Sequence, residues 1–582
     1  MSVHKSGQES ESTTATEGEK SDRIQDYHDG DAAQPVDNAL KDAGSEHTPA
    51  PATDPTSETE PEREYMTGLR LFLVMMTINM SGLLTALEIG IIATAIPAIT
   101  DQFHALDDVG WYGSATFLVV AVSSAPWGKA FKYLDVKSVY LASIAFFLLG
   151  SIVGGVAPTS VAVIVGRAIQ GFGITGTMNG SIIVINYVSH PRRHPPLIGV
   201  WMAVFMVSTI LGPVVGGALT SVSWRWVFYI NLPLGVPIVI MQLLFLRVPK
   251  HIKPTPATWK EIILQLDIPG FVVLLASLVC FILALQWGGQ SKQWSDGSVI
   301  ATLVMWIVLF IIFVAVEAFQ GERAMVPLRL LKPRSTWANV AWCFVSNSAF
   351  YQVMFYLPIY FQSVKGDSAI ISGVNTLPFL AFFGLGAMLG GAFVGKTRHV
   401  QPFQLVSALL MVAGAVLLYL LRVTSSTGRW AGAQVLFGFA VGLGNQIPLM
   451  TVQGLSKPED VPTSTGIMFM TQSGSAVYFI VVAQAIFANR MLETIKSNAA
   501  HLNPLQVLGT GASEITKVYR GEDLAAVLDA YMVGIRDVFT CVLAGASLAV
   551  LLTALVPLRR LPNHDNKKAV AEAAAGEKNE AV

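Results

Sequence analysis

Fourteen stretches of this chain are apolar over about the length needed to cross a bilayer, and no other feature limits its possible folds as strongly. They run over 70–98, 110–131, 138–157, 160–188, 196–219, 226–247, 268–287, 298–319, 337–362, 371–395, 402–421, 430–454, 463–488 and 534–557. About 20 apolar residues in helical conformation span a hydrocarbon core of about 30 Å. Lipid offers no partner to backbone polar groups, so each run must satisfy its own. None of these runs alternates polar with apolar residues, which predicts helices and not a barrel. The composition agrees: 52% of residues are hydrophobic and 13% charged, outside the range of soluble folds, so the bilayer is the main solvent.

Charge is confined to the tails and to short loops. Residues 1–66 are rich in Ser, Thr, Glu, Asp, Pro and Gly and poor in large apolar residues, which predicts a disordered tail that cannot offset its chain entropy by burial. The end of the chain, 559–582, is charged and Ala-rich. The first apolar run begins near Leu69, too deep for a cleavable signal peptide, so span 1 is expected to be an uncleaved insertion signal. Lys and Arg recur in alternate loops: Lys129, Lys132 and Lys137; Arg192 and Arg193; Arg247, Lys250, Lys253 and Lys260; Arg323, Arg329, Lys332 and Arg334; Lys396 and Arg398; Lys457; Arg559 and Arg560. The short intervening loops hold only Arg225, Lys292, Lys365, Arg422 and Arg429. The positive-inside rule then places both termini in the cytosol. The long loop 489–533 is expected outside, its amphipathic stretch EDLAAVLDAYMVGIRD forming a short helix at the membrane surface before the last span.

Three places within the spans carry candidate chemistry. Span 4 holds VGRAIQGFGITG, with Arg167 inside an apolar helix; an intramembrane guanidinium normally faces protein or water and is paired. Glu88 in span 1 is the one acid deep in a span. A carboxyl in an apolar bundle changes proton occupancy when its surroundings change, as a proton-coupled site requires. Either residue could instead be structural: Arg167 could snorkel to an interface and Glu88 could be permanently hydrogen-bonded. Glu317, near the end of span 8, is expected to be interfacial. In span 5, STILGPVVGGALT places Gly212, Pro213, Gly216 and Gly217 where small residues allow close helix approach and the proline bends the helix. The three cysteines, Cys280, Cys343 and Cys541, lie in apolar runs with no CxxC or Cys/His spacing, so neither a disulfide framework nor a metal site is expected. HExxH, GxSxG and P-loop motifs are also lacking, which argues against an enzyme and against an ATP-driven pump.

Taken in order, these motifs resemble the major facilitator superfamily, and within it the fourteen-span drug:proton antiporter branch of fungal toxin and multidrug efflux pumps. LEIGIIATAIPAI resembles the acidic span 1 signature of that branch, with Glu88 in the acidic position. GRAIQGFG is similar to the arginine motif of span 4, LGPVVGG to the antiporter motif of span 5, and WRWVFYINLPLG (224–235) to the junction before span 6. VPLRLLKPRS before span 9 and MTQSGSAVYFIVVAQAIF in span 13 extend the resemblance, which covers about 69–558. One loop departs from it. Where the family has G-x-x-x-D-R-x-G-R-K, a charge-relay latch at the cytosolic face, this chain has GKAFKYLDVKS: Gly128 and Lys137 are kept, Lys132 replaces the aspartate, and Asp135 stands in place of a glycine. The acidic member of the latch is missing or displaced to Asp135.

The resemblance implies an all-α membrane protein of major facilitator fold. Two six-helix bundles, 67–248 and 336–558, would be related by a pseudo-two-fold axis, with two extra spans and their linkers over 249–335, making fourteen transmembrane helices. It implies proton-coupled export of small amphipathic organic molecules (toxin, secondary metabolite or drug), with one half rocking against the other around a midplane site. Glu88 and Arg167 would couple the proton. Asn79, Asn347, Gln352, Tyr356, Asn375, Gln446 and Gln472 are candidates for the substrate cavity, where amides orient a ligand and aromatic faces give contact; each could instead pack between helices. Gly128, Lys137, Gly212, Pro213, Gly216 and Gly217 are the conformational-motif candidates. Partners are expected to be a small-molecule substrate, protons and the lipid bilayer, with no nucleic acid, no cofactor and no metal. The protein is expected to act as a monomer in the plasma membrane or a vesicular or vacuolar one. Siderophore exchange by the same fold stays open, and a receptor or membrane enzyme is the remote alternative.

Overall fold

The computed structural model describes residues 66–103, 109–190, 193–249, 252–510, 515–558 and 560. The expected terminal tails, apart from Met66 and Arg560, lie outside them, as do the loop cations Arg192, Lys250 and Arg559. The described residues are helical, with no strand among them. In chain order the helices are α1 (Gly68–Phe103), α2 (Val109–Tyr133), α3 (Val136–Gly155), α4 (Ser160–Val188), α5 (His194–Thr220), α6 (Trp226–Tyr229), α7 (Asn231–Phe245), α8 (Trp259–Gln265), α9 (Ile268–Trp287) and α10 (Gly297–Gln320). They continue as α11 (Leu328–Leu331), α12 (Arg334–Ile359), α13 (Ala369–Thr397), α14 (Gln401–Tyr419), α15 (Thr427–Asn445), α16 (Ile447–Leu455), α17 (Val461–Asn498), α18 (Pro504–Gly509), α19 (Ile515–Val518) and α20 (Gly521–Thr553).

Every apolar run is occupied by helix, and local chemistry marks several starts. Asp135, Thr159, Asp296 and Ser368 precede α3, α4, α10 and α13, and each side chain accepts a bond from a first-turn N–H, satisfying donors that have no partner within the helix. Twelve helical stretches among the described residues are long and apolar enough to cross a membrane. The two expected spans that fall outside this set, α2 and α12, are long enough but more polar, because they face protein. Thr116, Ser123, Ser124 and Lys129 of α2 are buried, as are Asn339, Ser346, Asn347, Ser348 and Gln352 of α12.

The order of packing repeats along the chain. In the first part α1 packs on α5, α3 on α4 and α2 on α4; in the last part α12 packs on α17, α14 on α15 and α13 on α15. The two parts meet through α2 on α17 and α5 on α13, while α9 and α10 pair with each other and α9 lies against α2 and α17. Two of these contacts depend on glycine. A Cβ at Gly212 would stand 2.6 Å from Gly90 Cα, and one at Gly216 would stand 2.6 Å from Ile91 O, so this pair lets α5 lie directly on α1 just beyond Glu88. Gly217 has nothing within 4 Å of its Cβ position and does not take part. Pro213 lies in α5, but its side chain is outside what is described.

Gly128 of α2 and Gly466 of α17 form the second close approach. A Cβ on Gly128 would meet Pro462 O at 2.6 Å and Gly466 Cα at 3.0 Å. At this end of the molecule one apolar cluster joins both parts: Trp127, Ile185 and Trp201 from the first, and Cys343, Leu449 and Phe469 from the second. This cluster and the Gly128–Gly466 approach bring the two parts into contact at the end bearing Lys132, which is closed among the described residues.

The 489–533 region differs from its expected form. α17 continues to Asn498, and α20 starts at Gly521 and runs unbroken to Thr553. The amphipathic stretch is therefore the first half of the last long helix and not a separate surface helix. Its apolar side, including Val527, Tyr531 and Ile535, joins the core cluster containing Phe487 and Met491 of α17. The periodicity reports helix-on-helix packing, which gives the same sequence signature as adsorption on a membrane.

Candidate functional site: a sealed ion pair and a charged latch

Glu88 and Arg167 meet. Arg167 Nη1 donates to Glu88 Oε1 at 2.7 Å, and the side chains are 1% or less exposed. The other Glu88 oxygen, Oε2, accepts from Asn231 Nδ2 at 2.6 Å. Arg167 Nε donates to the Tyr112 carbonyl at 3.0 Å. Behind the pair, Ser151 Oγ accepts from Asn231 Nδ2 at 3.1 Å and from Gln170 Nε2 at 2.9 Å. The cluster thus draws on α1, α2, α3, α4 and α7, and both charges have been removed from water. Such a pair holds only while its hydrogen bonds are met, and removing one partner costs about 3–5 kcal/mol through the charge left behind.

Asn231 is the residue that motif reading passed over. It opens α7, and WRWVFYINLPLG fixes it there: Trp224 Nε1 donates to Gln102 Oε1 at 2.7 Å, Arg225 Nη2 donates to Ala157 O at 3.2 Å, and the Arg225 guanidinium lies 4.4 Å from the Trp224 ring centroid. These contacts pin the junction to the ends of α1 and α3. A buried amide at a fixed offset in that motif was the available signal.

At the closed end, the carboxylate missing from the GKAFKYLDVKS loop comes from elsewhere. Lys132 Nζ reaches Asp460 Oδ1 at 2.7 Å, and Arg329 Nη1 reaches Asp460 Oδ2 at 3.0 Å while its Nε bonds Glu322. Asp460 precedes α17, so the ion pair crosses between the two parts of the molecule. Asp135 instead caps α3, accepting from Ser138 N and Oγ. Lys137 donates to Leu243 O at 2.7 Å and stays within the first part. Lys129 is buried and donates to Arg323 O at 2.7 Å and Gln265 Oε1 at 3.2 Å, which ties α2 to the segments flanking α9 and α10. The hydrogen bonds to Asp460 and Glu322 hold the Arg329 guanidinium well above its ordinary pKa. Glu317, near the end of α10, is buried, and its carboxylate accepts from Val326 N at 2.8 Å and Met325 N at 3.3 Å.

The cavity candidates do not form one group. Asn347 and Gln472 both meet the Cys343 side chain, the former with Nδ2 3.4 Å from Sγ. Asn79 is half-buried with Oδ1 unpartnered, and Gln446 is buried with neither amide atom bonded. Gln352 donates to Ser348 O and lies beside Cys541 of α20. Tyr356 packs its ring 5.6 Å from that of Phe487 in the core of the last helices, and Asn375 donates to Asp367 at 2.8 Å before α13. Among the described residues no group of three His, Cys, Asp or Glu could hold a metal ion.

The Major Facilitator Superfamily model matches residues 78–479. The dehydrocurvularin exporter of Alternaria cinerariae is 63% identical over 524 residues, 90% of each chain. The efflux pump notK of Aspergillus sp. (strain MF297-2) is 57% identical over 504 residues, 86% of this chain and 90% of the relative. Among solved structures, the proton:xylose symporter XylE aligns with a TM-score of 0.54 at 12% identity, over 84% of this chain and 98% of its own, which is a likeness of fold. With helices packed in this order and relatives this similar over nine-tenths of its length, the chain belongs to the major facilitator superfamily of membrane transporters.

Proposed function

We propose that this protein is a proton-coupled exporter of a secondary metabolite, and that dehydrocurvularin, named for a 63% identical relative, is the first compound to test. The observation that carries proton coupling is the sealed Glu88–Arg167 pair with Asn231 on the second carboxylate oxygen. With Glu88 ionised the pair is neutral; a proton on Glu88 leaves Arg167 as an uncompensated charge in a dry bundle. The two protonation states therefore favour different packings of the helices around them, and this difference couples a proton to a conformational change. Arg167 lies seven residues into α4, about 10 Å along the helix from its Ser160 end, so protons would enter from that side, the outside if both termini are cytosolic.

In this reading the chain spans the plasma membrane fourteen times, with α2 and α12 completing the twelve most apolar stretches. The bundles within 67–248 and 336–558 rock about a midplane site, and α9 with α10 stands beside α2 and α17. The closed cytosolic end is the outward-directed half of the cycle, and the protein works as a monomer. Expression in transporter-deficient yeast loaded with dehydrocurvularin tests this. Faster efflux that is abolished by a protonophore and by Glu88→Gln is expected; efflux by wild type that neither treatment alters would refute the coupling.

A further inference from the structure

The helix that corresponds by packing to α4 in the last part of the chain is broken. α15 stops at Asn445, Gln446 has φ −88° and ψ −13°, and α16 restarts at Ile447 with Pro448 at its second position. Pro448 has no N–H to give and so cannot continue the ladder. The two residues at the break carry three buried amide atoms without a hydrogen-bond partner: Asn445 Oδ1, Gln446 Oε1 and Gln446 Nε2. Gln446 is 2% and Asn445 6% exposed. Unpartnered buried amides oppose folding, and two adjacent ones at a helix break are not explained by the packing of α15 or α16. Interrupted helices within a transporter bundle place polar groups where a substrate binds. The segment that follows faces the contact between the two parts, since Leu449 and Val452 pack in the apolar cluster that closes the cytosolic end.

The surroundings fix the charge of what can bind. In α12 to α17 the charged side chains stand only near helix ends: Arg334, Lys396, Arg429, and Arg490 with its neighbours Glu493 and Lys496. α14 and α16 carry none. An ionised ligand beside Gln446 would find no counter-charge, and Glu88 and Arg167 are occupied with each other.

Building on the export reading, we propose that Asn445 and Gln446 form a subsite for an uncharged, hydroxyl-bearing portion of the exported molecule. Two free carbonyl acceptors and one free NH2 donor match a hydroxyl group that gives one hydrogen bond and takes another, with a second donor to the remaining acceptor.

The test uses the full chain reconstituted in vesicles and the compound exported in the yeast experiment. Gln446→Leu replaces two unpartnered amide atoms with an apolar group of similar size. The half-saturation concentration is expected to rise about tenfold, equivalent to the loss of about 1.4 kcal/mol, while the thermal midpoint does not fall. Asn445→Leu should act in the same direction. The O-methylated form of the compound should lose a similar factor on wild type and nothing further on Gln446→Leu. An unchanged half-saturation concentration, additive losses, or a lowered midpoint with a lower maximal rate overturns the subsite. Absence of efflux by wild type overturns the export reading itself, and the subsite with it.

Discussion

Replacing Asp460 with Asn should open the end bearing Lys132, and a native cysteine can report it. Asp460 is the common partner of Lys132 and Arg329, at 2.7 and 3.0 Å, and its side chain is 2% exposed where those of Lys132 and Arg329 are 14% and 45% exposed. Breaking a fully buried pair costs about 3–5 kcal/mol; the partial exposure of both cations reduces this to about 1–3 kcal/mol. Because the Lys132–Asp460 bond joins the two parts only when that end is closed, the loss falls on the closed state and shifts the balance toward opening by roughly 5- to 150-fold. Cys343 lies in the apolar cluster that plugs the same end and is fully buried. In a Cys280→Ser, Cys541→Ser background, its labelling by a membrane-impermeant maleimide in inside-out vesicles should accelerate by that factor. Lys132→Met should give a similar effect, and Arg329→Met, which removes the more exposed partner, less than about fivefold. An Asp460→Asn protein labelled at the wild-type rate, or a larger effect from Arg329→Met, would refute the latch.

Asn231→Leu removes the donor to Glu88 Oε2 and to Ser151, a charge-assisted bond of about 1.5–3 kcal/mol, and should slow proton-driven efflux at least about tenfold in vesicles while the protein still inserts at wild-type levels. Gly466→Val puts side-chain atoms 2.6 Å from Ser124 O, so α2 and α17 cannot close; Cys343 labelling should rise and export should fall together. Gly216→Leu should lower the thermal midpoint by wedging α1 from α5, while Gly217→Ala, with open space around it, should leave midpoint and transport unchanged.

The helical layout was legible because each span must bury its own backbone polar groups, and that requirement writes long apolar runs into the chain. Glu88 and Arg167 could be paired from sequence because an isolated charge in a span needs an explanation, and each explains the other. Asp460 could not be found in this way: it sits in a polar loop 328 residues from Lys132, and nothing local separates it from any other loop acid. The cavity candidates show the same limit. Asn375 and Tyr356 have the right chemistry, but a span's composition does not tell which of its sides meets the partner half: Asn375 bonds Asp367 at the start of α13, and Tyr356 packs on Phe487 of α17. The stretch 522–537 reads as surface-seeking in sequence because amphipathicity marks a boundary between two environments without naming them.

Proton counterflow across vesicles bearing purified protein tests the central claim most directly. With an imposed inward pH gradient and dehydrocurvularin inside, wild type should couple proton entry to efflux of the compound, and Glu88→Gln should show neither coupled proton entry nor gradient-driven efflux. Gradient-driven efflux by Glu88→Gln at the wild-type rate would contradict the account, because the carboxyl buried against Arg167 would then not be the group through which the proton acts.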